Sequence, residues 1–264
     1  MKNSSIKLSV VIVSFNTREI TKACLESIYK NEPKLTFEVI VVDNNSQDTS
    51  CEMIKKEFPQ VKLIQNNYNA GFAVANNQAF EYADGEFTLL LNSDTVVLGA
   101  VLDKSIDYMR ENNTVGAFGC RVLNTDRTTQ YTCSRFPSVL NLTLLTLGLD
   151  RLKTPPFFGR YSMRGWERNS EREVDVISGC YLMVRKEIFI DVGDLDSDFF
   201  FFGEETEWCF RIKNCGWKLV FAPVGEIIHH GGASVKKLNH ERDLMLTRAT
   251  ILFHKKTRGT FSAV

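Results

Sequence analysis

The 264-residue sequence contains no Cys-x-x-Cys pair, no apolar stretch of 18 residues and no excess of either charge. Its seven cysteines, at 24, 51, 120, 133, 180, 209 and 215, are an odd number set mostly inside apolar segments. That pattern fits buried thiols in a reducing compartment rather than a disulfide framework. Lys plus Arg and Asp plus Glu number 32 each, so no basic field points to nucleic acid and no acidic tract to a disordered tail. Any anionic ligand must therefore be held locally. The opening "MKNSSIKLSVVIVSFN" has a short apolar run that reads as a strand, with no cleavage site behind it. These absences predict a cytoplasmic protein, neither exported nor membrane-spanning. Internal repeats and low-complexity segments are missing too.

What is present is a regular rhythm. "LSVVIV" (8–13), "FEVIVV" (37–42), "VKLIQ" (61–65) and "FTLLL" (87–91) are short continuous apolar runs, the mark of strands buried on both faces. Helix-like stretches at 18–30, 48–58 and 72–83 separate them, which predicts a mostly parallel sheet with crossover helices on both faces. A helix near 100–112 and a strand near 115–122 follow. Residues 154–173 carry Pro, Gly and mixed charge without periodicity and read as a long loop. Residues 179–193 read as a strand entering a short helix, 217–223 as a further strand, and the tail from 237 as a helix.

Ligands of an open parallel sheet bind beyond the carboxyl ends of its strands. The residues there are polar after all four runs: Ser14, Asn16 and Arg18; Asp43 and Asn45; Asn69 before Gly71; Asn92 and Asp94. Each has an ordinary reading as a turn or helix cap, but four in succession on one sheet edge suit a nucleotide cleft. A carboxylate at Asp43 only accepts hydrogen bonds, and uracil or thymine has an N3 proton to give where cytosine has none. Asp94, at the end of a buried strand, suits a hard divalent cation shared with substrate phosphates, against the plainer reading of a cap for the helix near Gly99. "IIHHGG" (227–232) places His229 and His230 in a glycine-flanked turn just past a strand, where one neutral imidazole would complete a metal site.

"FFFFGEETEWCFRIKNCGW" (199–217) puts Glu204, Glu205 and Glu207 at the opening of a helix-like run. Carboxylates there favour the helix dipole, and Glu207 precedes Arg211 by four residues, the spacing of an exposed ion pair. Glu205 shares a face with Cys209 and Ile212, where an unpaired carboxylate is costly unless it borders a cleft. The preceding phenylalanines and Trp208 are candidates for a wall against a sugar. In the tail, Leu246, Ile251, Leu252 and Phe253 alternate with Arg248, His254, Lys255, Lys256 and Arg258. That suits a helix lying on an anionic membrane surface, or equally a helix packing its apolar side on the domain.

Taken together, "VVIVSFN", "VVDNNSQDTS", "NYNAGFAVANN", "LLLNSDT", the stretch 177–223 and "IIHHGGAS" resemble, in order, the family 2 inverting glycosyltransferases of the GT-A fold, especially the rhamnosyltransferase-like branch that builds bacterial surface polysaccharides such as O-antigen. The resemblance covers residues 8–235. It implies a GT-A, Rossmann-like domain over 1–235, with a nucleotide-binding half (8–98) and an acceptor and catalytic half (99–235), plus a helical tail over 236–264. It also implies a nucleotide-sugar donor, dTDP-rhamnose first and UDP-hexoses next, and a glycan or lipid-linked glycan acceptor with no nucleic-acid partner. The tail would add peripheral contact with the inner face of the membrane. Carried over by position, Asp94 with a histidine, His229, holds Mn2+ or Mg2+. Asp43 meets the base, Asn69 and Asn76 lie along the nucleotide, and Glu204 with Glu205 form the acidic pair that supplies the base. Glu205 is the first choice and Glu204 the second. Two departures are a Glu-Glu pair where Glu-Asp is usual, and Asn92 where the metal motif often starts with Asp.

Two other classes compete. A nucleotidyltransferase should carry a glycine-rich basic loop after the first strand, and "SFNTREI" has no glycine. A non-catalytic sugar-nucleotide binding module of the same fold would have lost the acids that stand at 94, 204 and 205.

Overall fold

The computed structural model describes residues 6–152, 157–231 and 239–259. Its first half alternates β1 (Leu8–Ser14), α1 (Arg18–Lys30), β2 (Phe37–Asp43), α2 (Ser50–Glu57), β3 (Lys62–Gln65), α3 (Phe72–Phe80) and β4 (Phe87–Leu91). There follow β5 (Thr95–Val97), α4 (Val101–Glu111), β6 (Val115–Leu123), β7 (Cys133–Ser134) and α5 (Val139–Thr146). After a 3-10 turn come β8 (Arg172–Glu173), β9 (Val176–Ile177), β10 (Tyr181–Arg185), α6 (Glu187–Asp191), α7 (Glu204–Asn214), β11 (Lys218–His229) and α8 (Asn239–Arg258).

The main sheet runs in the order β3-β2-β1-β4-β10-β6-β11-β5, with β8 beside β11. β3, β2, β1 and β4 are mutually parallel, as their continuous apolar runs predict, and β6 pairs β11 in parallel. The antiparallel pairs lie in the second half, where β10 runs against both β4 and β6, and β11 runs against β5 and β8.

Burial on both faces explains the unbroken apolar strands. Leu8, Val10 and Ile12 of β1, with Val39 and Val41 of β2, pack on Leu25 and Ile28 of α1, Ile54 of α2 and Ile106 of α4. On the other face Val11, Ile40 and Val42 meet Ala75 and Ala79 of α3. Further along, Leu90, Ala117 and Leu182 meet Trp208, Cys209 and Ile212 of α7. All seven cysteines are free thiols and six are buried, as their apolar settings foretell.

The long segment after α5 is more ordered than its composition suggests. Arg168 is fully buried and donates to the carbonyls of Met163, Trp166, Cys133 and Ser162, with its guanidinium 4.4 Å from the Tyr131 ring centre. The final helix begins at Asn239, and the boundary expected near residue 235 falls outside the described residues. Among the described residues no helix is long and apolar enough to cross a membrane.

Candidate active site

Four parallel strands end at one edge, and the antiparallel β10 enters that edge by its N-terminus, so Asn92 N–H donates to the carbonyl of Cys180. The strand-end loops interlock. Asp43 is buried, and its Oδ1 accepts from Ser46 N at 2.8 Å while Oδ2 has no partner. Ser46 Oγ in turn accepts from Asn16 N, and Asn16 Oδ1 from Gln47 N, both at 2.8 Å. Asn16 and Asn45 are exposed and hold left-handed backbone conformations, at φ 52° and 68°. Arg18 N donates to Asp48, and the Arg18 guanidinium meets Glu19, with Nε buried and unpartnered.

The remaining expected nucleotide residues divide. Ser14 is buried beneath α1, where its hydroxyl contacts Thr17 at 3.3 Å and Thr21 at 3.1 Å. Asn69 closes a turn by accepting from Gly71 N. Asn76 is buried on α3 with Nδ2 bonded to Phe72 O and Oδ1 without a partner. Asn44, one of the polar residues after the second strand, ties the loops together by donating to Gly71 O and accepting from Asn66.

β11 is longer than expected, and His229 is its last residue rather than part of a following turn. Antiparallel pairing sets His229 opposite Thr95, and His230 N donates to Asp94 O. His229 Nε2 stands 3.1 Å from Asp94 Oδ1 and 3.3 Å from Asn92 Nδ2. Asp94 precedes β5 and does not cap α4, which starts at Val101. On the far side of the ring, Nδ1 lies 2.7 Å from Gln130 Oε1, while Gln130 Nε2 donates to Asn124 Oδ1. That orientation gives Gln130 an acceptor toward Nδ1, so Nδ1 carries a proton and Nε2 is left to face Asp94. A histidine that ligates a metal is held in this way, by a hydrogen bond at its other nitrogen. Asp94 oxygen and His229 nitrogen are thus donors of the type that could hold a divalent cation of the Mn2+ or Mg2+ kind. No group of three or more such side chains gathers among the described residues. Gln130 sits in "TTQYT", which has no motif to announce it.

The acidic pair opens α7 after a turn that only strained backbone can make, with Phe202 at φ 68° and Gly203 at φ 85°. Glu204 is buried and Glu205 half-buried, and each has an Oε2 without a hydrogen-bond partner. Burial raises the Glu204 carboxyl well above the usual range, and repulsion from Glu205 adds to this. Burial raises Glu205 as well, but backbone N–H groups of the helix start, at Glu205 and Gly203, favour its ionised form. Both carboxyls are therefore raised, Glu204 the more strongly. Both, with Asn92, Gln130 and His229, line a cleft of about 890 Å3. Burial pushes the Cys180 thiol in this cleft up to about 12, with smaller additions from Asp94 and Glu205.

Two expectations around this helix are corrected. Trp208 forms no wall for a ligand: it is fully buried, donates to Gly193 O at 2.8 Å and stacks on Phe80, whereas Phe201 and Phe202 line the cleft. Its spacing from Glu204 places it on the inward face of the helix. Glu207 does pair with Arg211, at 2.7 Å, but the carboxylate is buried rather than exposed. Arg211 extends the bond to the carbonyls of Val192 and Asp194 and so moors α7 to the preceding loop.

The glycosyl transferase family 2 model matches residues 9–193. The O-antigen biosynthesis protein RfbC of Myxococcus xanthus is 25% identical over 86% of this chain but only 18% of its own length. The N-acetylglucosaminyl-diphospho-decaprenol L-rhamnosyltransferase of Mycobacterium tuberculosis is 26% identical over 73% of this chain and 66% of its own. In fold, the chain is similar to the mannosyltransferase PcManGT from Pyrobaculum calidifontis, solved with GDP-Man and Mn2+, at a TM-score of 0.63 and 16% identity, over 95% of this chain and 63% of that one. With the family model covering most of its length and a GT-A sheet carrying the strand-end acids, the chain belongs to glycosyl transferase family 2.

Proposed function

We propose that the protein transfers a sugar from a nucleoside diphosphate to a hydroxyl of a growing bacterial surface glycan, with inversion at the anomeric carbon. The observation that carries this reading is the shared cleft, lined by the acids at 204 and 205, each with an unpartnered Oε2, and by the histidine beside Asp94. Asp43 Oδ2, buried and lacking a donor, accepts the N3 proton of uracil or thymine. Asp94 and His229 hold the cation, which when bound neutralises charge developing on the departing diphosphate. Glu205 takes the proton from the acceptor hydroxyl as it attacks C1 from the face opposite the leaving group. Glu204, kept protonated by burial, confines the negative charge to its neighbour.

The names of the relatives support a rhamnosyl or glucosyl donor and a lipid-linked diphosphate glycan as acceptor, and dTDP-rhamnose stays the first choice of donor on the sequence resemblance, with UDP-hexoses second. The test is a screen of sugar nucleotides, with and without Mn2+, for thermal stabilisation, because a true donor binds the native state and raises its apparent stability. Proton NMR of the product then reads its anomeric configuration. Retention of configuration, or stabilisation by none of the sugar nucleotides, contradicts the proposal.

A further inference from the structure

The helix α5 was not foreseen from the sequence, and its side chains face the wrong way for a soluble surface. Val139 is 66% exposed and Leu147 65%, Leu140 and Leu145 are exposed with them, and Leu152 and Phe157 further along the chain are exposed too. Only Asn141 and Leu144 of the helix are buried. From Phe136 to Leu149 the sequence has no charged residue. The two threonines on the outward side spend their hydroxyls on the helix itself, Thr143 donating to Val139 O and Thr146 to Leu142 O, so neither needs water.

Exposed arginines flank this apolar stretch. Arg135 precedes the helix and Arg151 follows it, while Arg160 lies 5.8 Å from the Phe157 ring centre. Arg135, Arg160 and Arg258 share a hollow of about 440 Å3 with Ser138, at the N-terminus of α5. The acid in that hollow, Asp175, is held by Lys213 at 2.6 Å and Arg135 at 3.7 Å. The acid after the helix, Asp150, is buried and faces Arg164.

We propose that α5 and the turn after it form a docking face for an anionic lipid bilayer. Leu140, Leu147 and their neighbours enter the boundary between headgroups and acyl chains, and the arginines on the rim meet lipid phosphates. The rim favours a membrane over a second copy of the chain, since two such faces would oppose like charges. This moves the membrane contact away from the tail helix, where Ala249 and Phe253 pack inward against Phe199, and Lys256 pairs with Asp196 and Asp198. The inference does not depend on the identity of donor or acceptor, because binding is read without turnover.

The test is co-sedimentation of the full chain with vesicles of phosphatidylcholine, with and without phosphatidylglycerol. Binding to the anionic vesicles that weakens with salt is expected. The double variant Leu140→Gln/Leu147→Gln should lose about tenfold or more of it, the scale for withdrawing two leucines from an apolar phase. Arg135→Gln/Arg151→Gln should lower the preference for anionic vesicles, and Ile251→Gln in α8 should change nothing. Every replaced side chain is already exposed, and an unchanged melting temperature checks folding. Equal binding by the leucine variant overturns the proposal. So does a wild-type dimer that this variant dissociates in the absence of lipid, which would make α5 a contact between chains.

Discussion

His229 Nε2 lies 3.1 Å from Asp94 Oδ1, although about half of the chain separates the two residues. The pairing of β11 with β5 brings them together, and the contact of Gln130 Oε1 with Nδ1 turns Nε2 toward Asp94.

The first prediction concerns that nitrogen. Gln130→Leu removes the acceptor at Nδ1 and frees the imidazole to change tautomer. Apparent Mn2+ affinity, followed by the metal concentration needed for thermal stabilisation in the presence of a nucleoside diphosphate, should fall about 10- to 100-fold. Asp94→Asn, which removes the charge that holds a divalent ion, should abolish the stabilisation. Full turnover of the wild-type protein in EDTA would contradict the metal assignment.

Gly71 joins the nucleotide loops to the acidic helix. Its φ is +83°, an added Cβ would lie 2.5 Å from Phe200 O, and the next residue, Phe72, donates its N–H to that same carbonyl. Gly71→Ala should therefore displace the segment leading into Glu204. A loss of roughly 1–3 kcal/mol is expected from the strained backbone alone, read by denaturant unfolding, together with a loss of turnover.

Glu204 gives stability a pH dependence of known sign. Its carboxyl is raised in the folded state, so the native protein holds a proton that the unfolded chain has released. That contribution is complete below the ordinary carboxylate range and is lost as pH rises through the raised value. Glu204→Gln mimics the protonated acid and should flatten this decline, so the variant gains on the wild type as pH rises above 5. Melting curves across that range check it. A wild-type protein that instead becomes more stable relative to Glu204→Gln toward high pH would contradict a raised Glu204.

Glu207 serves as the structural counterpart of its neighbours. Glu207→Gln removes the charge from the carboxylate whose two oxygens share Arg211 Nε and should cost roughly 1–3 kcal/mol of stability while leaving turnover of the folded protein within about twofold. Unfolding curves and initial rates separate the two effects.

The first half of the fold was legible because burial on both faces writes itself as unbroken apolar runs, and Val10–Val11 or Val39–Ile40 can be read only in that way. β5, β7, β8 and β9 are two or three residues long and too short to carry a period. The uncharged run of α5 has no alternation to mark a buried face. At the site, strand-end position singled out Asp43 and Asp94, and the clustering of carboxylates at a helix opening, with the family resemblance, singled out the acidic pair. Sequence spacing could not reveal that Ser14 faces the underside of α1 or that Gln130 reaches His229. Those relations depend on contacts between distant elements.

The account rests most heavily on Glu205. Glu205→Gln keeps the shape and removes the capacity to take a proton, so the rate of sugar transfer under saturating donor should fall by roughly 10²- to 10⁴-fold, while nucleotide affinity measured by calorimetry barely changes. In the wild type the same rate should climb as pH rises through the raised Glu205 value, and this limb should vanish in the variant. If Glu205→Gln turns over normally and Glu204→Gln is inactive, the roles of the two acids are exchanged. If both variants turn over normally, the pair is not the base and the displacement mechanism proposed for this protein is wrong.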